Sequence, residues 1–509
     1  MSVAADKPGP HSALGGLSRR SRDPHSALGS HRSPLAFSAA RFLLLAALLG
    51  APLAFGAVQP WAWASLALVA LLALLVWAAG NILRGELRIE WSPLYVPVAL
   101  FLLLAAVQYG GGFSLDPVAT REALVKLAAY LIFFFLAAQL FQVSGVRYQV
   151  SGPDSALRNS QPAPATCHLL PVTWLLPVIT AYAFALGLFA MVQFFTSRGL
   201  IYWTISPRWG GWVVGPYVNH NHYAGLMEML IPLAAAYVLW LPKSNPRRPL
   251  FGFAVVVLIA SLLLSGSRGG FLALLVEIVV FAVLLFTWGP RSQAPGPRSQ
   301  VPGPRSGNLK LETWNLKLGV SLALLAAALL FFYIEPGYIS RRLATVFGVG
   351  VSYDEMIGDR KEAALAGLRM FRAHPWLGTG VGSYEIMAPR YRRAPSDVLW
   401  DHAHNDYAEA LAETGLGGAL LIVSSLVLFF NSALRNSWAP ASGLQPPASG
   451  PTLDPLRVGA TLACIGLLVH SFSDFNLRIP ANAAWFAFCA GIAVAGQWPV
   501  ASRRPQASV

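Results

Sequence analysis

The sequence predicts an all-α, polytopic membrane protein of about twelve transmembrane helices, and three observations predict it. Of the 509 residues, 55% are hydrophobic and only 12% are charged, whereas a soluble domain carries roughly 25% charged residues. So few charges cannot cover the surface of a water-soluble globule. The apolar residues also gather in blocks of about 20, the length a helix needs to cross a hydrocarbon core of about 30 Å. A helix satisfies its own backbone hydrogen bonds, so such blocks can stand in lipid.

Taken in order, residues 1–36 are polar, basic and rich in Pro, Gly and Ser, with PHSALG at both Pro10–Gly15 and Pro24–Gly29. They read as a disordered cytoplasmic tail, too long and uneven for the charged start of a cleaved signal peptide. Spans are expected near 37–57, 61–80, 93–109, 123–142, 170–195, 223–241, 249–264, 271–288 and 318–335, then near 415–434, 457–475 and 481–498. Lys and Arg in the connecting segments set the orientation. With the N-terminus inside, inner loops hold Arg84 and Arg88, Arg147 and Arg158, Lys243, Arg247 and Arg248, and the basic run from Arg291 to Lys317; Arg503 and Arg504 place the C-terminus inside too. The chain thus divides into the tail 1–36, nine helices over 37–335 with a low-complexity cytoplasmic loop at 289–316 (GPRS three times), a large outer loop at 336–405, three helices over 406–498 and a cytoplasmic tail at 499–509.

The net charge of +14 fits the inner-loop bias of membrane proteins. Nucleic-acid binding would need a soluble basic patch with interleaved aromatics, and none is present. Cys167, Cys464 and Cys489 make neither a disulfide framework nor a CxxC metal site. The outer loop breaks the charge pattern, holding Arg341, Arg342, Arg360, Lys361, Arg369, Arg372, Arg390, Arg392 and Arg393. Anionic lipid headgroups or an anionic ligand would account for so many cations on an outer face. Within the loop, Asp359 can cap a helix running to about Ala373, with Ala364, Leu365, Leu368 and Phe371 as its apolar stripe. GTGVGS (Gly378–Ser383) follows, without the preceding strand and following Lys-Ser/Thr of a phosphate loop.

Four clusters could carry chemistry. In DHAHNDYAEALAETGLGG (Asp401–Gly418), His402, His404 and Asp406 alternate as metal ligands would on an extended segment, but no other cluster completes a coordination shell. The same histidines could act as acid and base near neutral pH, with Asp406, Glu409 and Glu413 to orient them or to pair with arginines. GPYVNHNHYAG (Gly215–Gly225) offers Asn219, His220, Asn221 and His222 to a sugar or headgroup, or caps a helix through Asn219 or Asn221. SGSRGG (Ser265–Gly270) brackets Arg268 with small residues, so a phosphate could reach its planar fork; Arg198 and Arg208 could join it. In HSFSDFNLRIPANA (His470–Ala483), Asp474 and Arg478 are spaced for an internal ion pair.

In this order the clusters VNHNHYAG, SRGG, DRKEAALAGLRMFRAHPWLGTGVGSYE, HAHNDYAEALAETGLGG and HSFSDFNLRIPAN resemble the O-antigen ligase and O-antigen polymerase superfamily of bacterial membrane glycosyltransferases, over roughly Leu170–Trp498. The resemblance implies a twelve-helix fold in the bacterial inner membrane, with a periplasmic loop over a lipid-facing cavity. It implies a glycan donor on undecaprenyl pyrophosphate, an acceptor glycan or lipid A-core, and an inverting transfer without metal or other cofactor. The family's catalytic histidine falls on His404 and its pyrophosphate-binding arginines on Arg268, Arg208 and Arg360; Asn219, Asn221, His222, His402, Asn405, Glu409 and Asp474 would shape the site or hold sugar. Ligase and polymerase share these motifs, and His402 beside His404 leaves two candidate imidazoles. A secondary transporter is the alternative of another class. It would place polar groups near the midplane on broken helices in repeated halves, whereas these clusters gather at one face.

Overall fold

The computed structural model describes residues 24–85, 87, 89–141, 174–207, 215–287, 353–393, 400–438 and 454–495. All its regular elements are helical apart from an isolated bridge between Ile201 and Ile205. The helices longer than one turn are α1 (Pro24–Leu53), α2 (Pro60–Arg84), α3 (Tyr95–Gly110), α4 (Pro117–Leu140), α5 (Leu175–Thr196), α6 (His220–Trp240), α7 (Arg248–Leu264), α8 (Arg268–Thr287), α9 (Tyr353–Ala373), α10 (Asp406–Trp438), α11 (Pro455–His470) and α12 (Pro480–Val494). Among the described residues six helices are long and apolar enough to cross a membrane: the Pro34–Leu53 part of α1, α2, α4, α5, α6, and α10 over Asp406–Asn436; α3, α7, α11 and α12 are shorter apolar helices. The chain is a multi-pass membrane protein. Eleven of the twelve expected spans fall on these helices, while the ninth, 318–335, and the basic loop 289–316 lie outside the described residues. The tail expectation is too long, because α1 already begins at Pro24.

Helix ends follow local chemistry. Asp116 caps α4, accepting from the amides of Val118 and Ala119 at 3.2 and 3.1 Å, with Pro117 next. Asp454 caps α11 ahead of Pro455 in the same way. A proline at the first helical position lacks only an amide that would have no partner there anyway. Nearly all of α12 is buried, and most of α6 and α11 is too. Lipid is as apolar as leucine, so helices in a membrane associate through close packing and small residues rather than through the hydrophobic effect. Gly459 of α11 accordingly lies against the backbone of Pro232 and Leu233 in α6, and Gly491 of α12 against the Phe134 carbonyl of α4. Leu68, Leu103 and Phe253, on α2, α3 and α7, stay exposed, as lipid-facing residues do.

Two expectations for the outer loop are corrected. The helix there starts at Tyr353, not after a cap at Asp359. Its buried face is Ala363, Ala366, Gly367 and Met370 instead of the stripe through Leu368, which is 38% exposed. The reason is close approach: a Cβ on Gly367 would stand 3.3 Å from the Ala408 carbonyl oxygen of α10, so the small residues face the neighbour.

The GTGVGS loop is a structural clasp. Helix α10 breaks at Gly415 (φ 60°, ψ −160°), and the loop docks on the break. Thr379 and Gly380 donate to the carbonyls of Ala412 and Glu413 at 3.1 and 3.0 Å, while Leu416 and Gly417 donate to Pro375 and Trp376 at 2.8 and 3.1 Å. Gly378 (φ +71°) has no room for a side chain, since a Cβ would lie 2.2 Å from the Glu413 carbonyl carbon. Gln108 of α3, fully buried, locks the junction: its Nε2 donates to the carbonyls of Leu377 and Glu413 at 2.5 and 2.8 Å, and its Oε1 accepts from the Val381 amide at 3.2 Å. Gln108→Leu therefore strands two backbone groups, the Leu377 carbonyl and the Val381 amide, each costing about 1–3 kcal/mol when buried unmet, while the Glu413 carbonyl keeps the Gly380 amide. The expected outcome is a lower melting temperature in detergent and faster proteolysis between residues 375 and 393; an unchanged melting temperature would show that the clasp does not depend on Gln108.

Candidate functional site

The four sequence clusters meet at one end of the bundle. The start of α6 brings Asn219–His222, the start of α8 brings Arg268, the loop ahead of α10 brings His402–Asn405, and the turn between α11 and α12 brings Ser471–Arg478. Asn219 is the cap of α6, accepting from the Asn221 amide at 2.9 Å. Asn405 caps α10 through the Ala408 amide at 2.9 Å and donates to the Phe472 carbonyl at 3.0 Å, tying loop to turn.

Phe475, which the sequence reading did not single out, is the centre of the site. The rings of His222, His402 and His404 lie 4.6, 4.3 and 5.0 Å from its ring. Each histidine is then treated differently. His402 Nδ1 meets Glu409 Oε1 at 2.8 Å, and Glu409 Oε2 accepts from the Ala403 amide at 2.8 Å. Burial disfavours the charged His402 ring, but the Glu409 carboxylate and its hydrogen bond prevail and raise the pKa above the ordinary histidine value. His404 Nδ1 stands 3.5 Å and His222 Nε2 3.8 Å from Asp474 Oδ1, longer than ordinary hydrogen bonds. Burial alone would lift the Asp474 carboxyl; the two imidazoles hold it well below the usual carboxylate range instead. His404 itself sits at φ +49°, left-handed backbone of the kind that gathers at functional sites.

This geometry revises two expectations. His402, His404 and Asp406 do not share one face: the first turns to Glu409, the second to Asp474, and Asp406 begins α10, where it accepts from the Ser471 hydroxyl at 2.8 Å and the Leu477 amide at 3.1 Å. Among the described residues no group of three His, Cys, Asp or Glu is placed to hold a metal ion. The expected Asp474–Arg478 pair is replaced by another. Arg478 reaches Glu409 at 3.1 Å and Glu413 at 2.7 Å, with Asp406 at 4.0 Å. The i, i+4 spacing of Glu409 and Glu413 had offered an arginine or a histidine as partner; here the two carboxylates serve both.

Arg268 is the first residue of α8, and Gly269 beside it packs on His470 and Ser473. Arg360 of α9 donates to the Ser473 carbonyl at 3.4 Å. Two of the three expected arginines thus adjoin the turn that leads to Asp474 and Phe475. Arg208 lies outside the described residues. Arg369 serves the loop itself, gripping both Glu362 oxygens at 2.6 and 3.1 Å and donating to the Tyr391 carbonyl at 2.9 Å. Also unforeseen is Lys126 of α4, whose ammonium lies 4.9 Å from the Trp63 ring centroid and whose field reaches Arg478; a lysine ten residues into an apolar helix was the available signal.

With the geometry in place, comparison with known proteins adds the family. A family model described as O-antigen ligase matches residues 253–423. That stretch, about a third of the chain, is similar to an O-antigen ligase domain. The matched stretch holds Arg268, Arg360, His402, His404, Glu409 and Glu413. No curated protein matches the chain.

Arg478→Ala would leave Glu409 and Glu413, each 1% exposed, without their cation, and breaking a buried pair costs about 3–5 kcal/mol. A fall in melting temperature of several degrees is expected; none would mean that the carboxylates relax without it. The raised pKa of His402 makes a second prediction. A raised folded-state pKa gives stabilisation that is complete below the unfolded value, about 6.5, and lost as pH rises through the folded value. The destabilisation caused by His402→Ala should therefore be larger at acid than at alkaline pH, and a pH-independent effect in thermal unfolding would contradict it.

Proposed function

We propose that this protein transfers a glycan from a polyprenyl (undecaprenyl) pyrophosphate to a sugar hydroxyl of an acceptor glycan or lipid A-core, at the periplasmic face of the bacterial inner membrane, with both chain termini in the cytoplasm. The observation that carries this reading is the convergence of a carboxylate-held imidazole, His404, with Arg268 and Arg360 around one turn, within a chain that is similar to an O-antigen ligase domain over residues 253–423.

In this reading the acceptor oxygen attacks the anomeric carbon as the bond to the pyrophosphate oxygen breaks, and a single displacement inverts that carbon. The acceptor proton passes to His404 Nε2. Asp474, an anion beside Nδ1, favours the tautomer that leaves Nε2 free to accept, and it steadies the ring once charged. His402 Nδ1 is committed to Glu409, so the general-base role is given to His404. Negative charge grows on the departing pyrophosphate, and fixed guanidinium groups stabilise it most where water is scarce. Arg268 and Arg360 would do this, with Arg208 a further candidate. His222, His402, Asn219, Asn221, Asn405 and Glu409 shape the pocket floor and the sugar contacts.

His404→Ala should lower turnover by roughly 10²–10⁴, the worth of a general base, with donor binding nearly intact. Asp474→Asn should lose less, again in turnover, and activity should fall toward acid pH. Arg268→Ala should cripple transfer, and Arg268→Lys should recover only part, because lysine keeps the charge without the planar fork. The assay is purified protein with carrier-linked glycan, turnover and donor binding measured separately. A fully active His404→Ala would refute the assignment. Activity should survive EDTA; loss restored by a divalent ion would return the histidines to a metal role. Deleting the gene and resolving surface polysaccharide on a gel separates the two family activities: an unglycosylated acceptor with long carrier-linked chains means ligase, and shortened chains mean polymerase.

A further inference from the structure

Behind the turn that carries Arg268 lies a line of three enclosed polar groups that the proposed transfer does not use. Glu228 comes from α6, His470 is the last residue of α11, and Ser267 immediately precedes α8. They are 0%, 1% and 3% exposed. His470 Nδ1 lies 3.2 and 3.1 Å from the two Glu228 oxygens, and its Nε2 lies 3.4 Å from Ser267 Oγ. Ser267 Oγ in turn accepts from the Gly270 amide at 3.2 Å, the contact of a helix cap. With its proton on Nδ1 the imidazole donates to the Glu228 carboxylate, and Nε2 faces the Ser267 hydroxyl, which can donate to it.

The packing leaves this line no slack. A Cβ on Gly269 would stand 2.3 Å from His470 Cδ2 and 2.5 Å from Ser473 Oγ, and one on Gly270 would stand 2.8 Å from the Ala224 Cβ of α6. The two glycines of SRGG therefore let the start of α8 press directly onto α6 and α11, with Ser267 held by His470 on one side of Arg268. Polar groups so enclosed among apolar helices are costly unless bonded, and here they are bonded to one another and to a helix start.

We propose that Glu228, His470 and Ser267 are positioning residues that fix the N-terminus of α8 and so the direction in which Arg268 meets the donor pyrophosphate. This rests on Arg268 being a donor contact, as read above. A guanidinium binds two phosphate oxygens only when its plane is aligned with them, so a helix start free to rock would retain the charge and lose the grip.

The test is binding of undecaprenyl pyrophosphate, without glycan, to the full chain in nanodiscs. The variants are Ser267→Ala, Ser267→Thr, His470→Asn, Arg268→Ala and Ser267→Ala combined with Arg268→Ala, with melting temperatures measured alongside. Ser267→Ala should weaken binding by roughly fivefold, the value of one hydrogen bond, and Ser267→Thr, which keeps the hydroxyl, should restore it. His470→Asn keeps a donor toward Glu228 but loses the atom at Nε2, so it should match Ser267→Ala. In the Arg268→Ala background, Ser267→Ala should cost nothing further, because the two act through one contact. A Ser267→Ala loss that persists undiminished in that background, or Ser267→Ala binding like the parent while Arg268→Ala binds weakly, overturns the positioning role and leaves the reading of Arg268 standing. Parental binding by Arg268→Ala overturns both. A Ser267→Ala chain that does not fold while Arg268→Ala does would make the line a folding element and likewise overturn the proposal.

Discussion

Arg478 and the carboxylates around it hold this end of the molecule together. Three acidic residues in the first turns of an apolar helix would be untenable near lipid without a cation. Once Arg478 supplies it, each carboxylate has oxygens left for a different segment. Asp406 fastens the turn through Ser471 and Leu477. Glu409 fixes the histidine loop through His402 and Ala403. Glu413 takes the Tyr384 amide, where the glycine loop ends. One guanidinium therefore ties four separate stretches of chain into one floor, and the histidines around Phe475 stand on it.

The second constraint is the interruption of α10. A helix that ran straight through Gly415 would offer no free carbonyls at Ala412 and Glu413. Broken there, it exposes them to the GTGVGS loop, and the clasp this forms decides where α9 and its Arg360 lie. The glycines that resembled a phosphate loop are needed for backbone contact between two protein segments, and the amides of Thr379 and Gly380 are spent on those carbonyls, not on an anion.

Much of the fold was legible because membrane helices announce themselves by length and apolarity, which need no knowledge of the partner. Eleven spans could be placed from hydropathy alone. The end of the bundle was legible in its membership but not in its pairing. His402, His404, Glu409 and Asp474 were recognisable as a polar cluster, yet spacing joined Asp474 to Arg478, four residues away, when the fold sends that arginine to α10. The α9 face was misassigned for a related reason: hydrophobicity ranks Leu368 above Gly367 and Ala366, but a tight helix contact selects for size. Phe475 carried no signal of its own, since a lone phenylalanine in an apolar chain is ordinary until three imidazoles are seen around it.

The family match ends at residue 423, and the site extends beyond it on both sides. Arg268, Arg360, His402 and His404, the groups that would meet charge or move a proton, lie within the matched stretch. His222, Asp474, Phe475 and Arg478, which contact those histidines or a carboxylate that faces one of them, lie outside it. The two imidazoles show why that matters. They are two residues apart on one loop, but Glu409, shared with Arg478, holds one and raises its pKa, while Asp474, shared with His222 and the Phe475 amide, faces the other. Two copies of the same side chain on one short loop are thus given unlike chemistry by carboxylates from separate helices and turns.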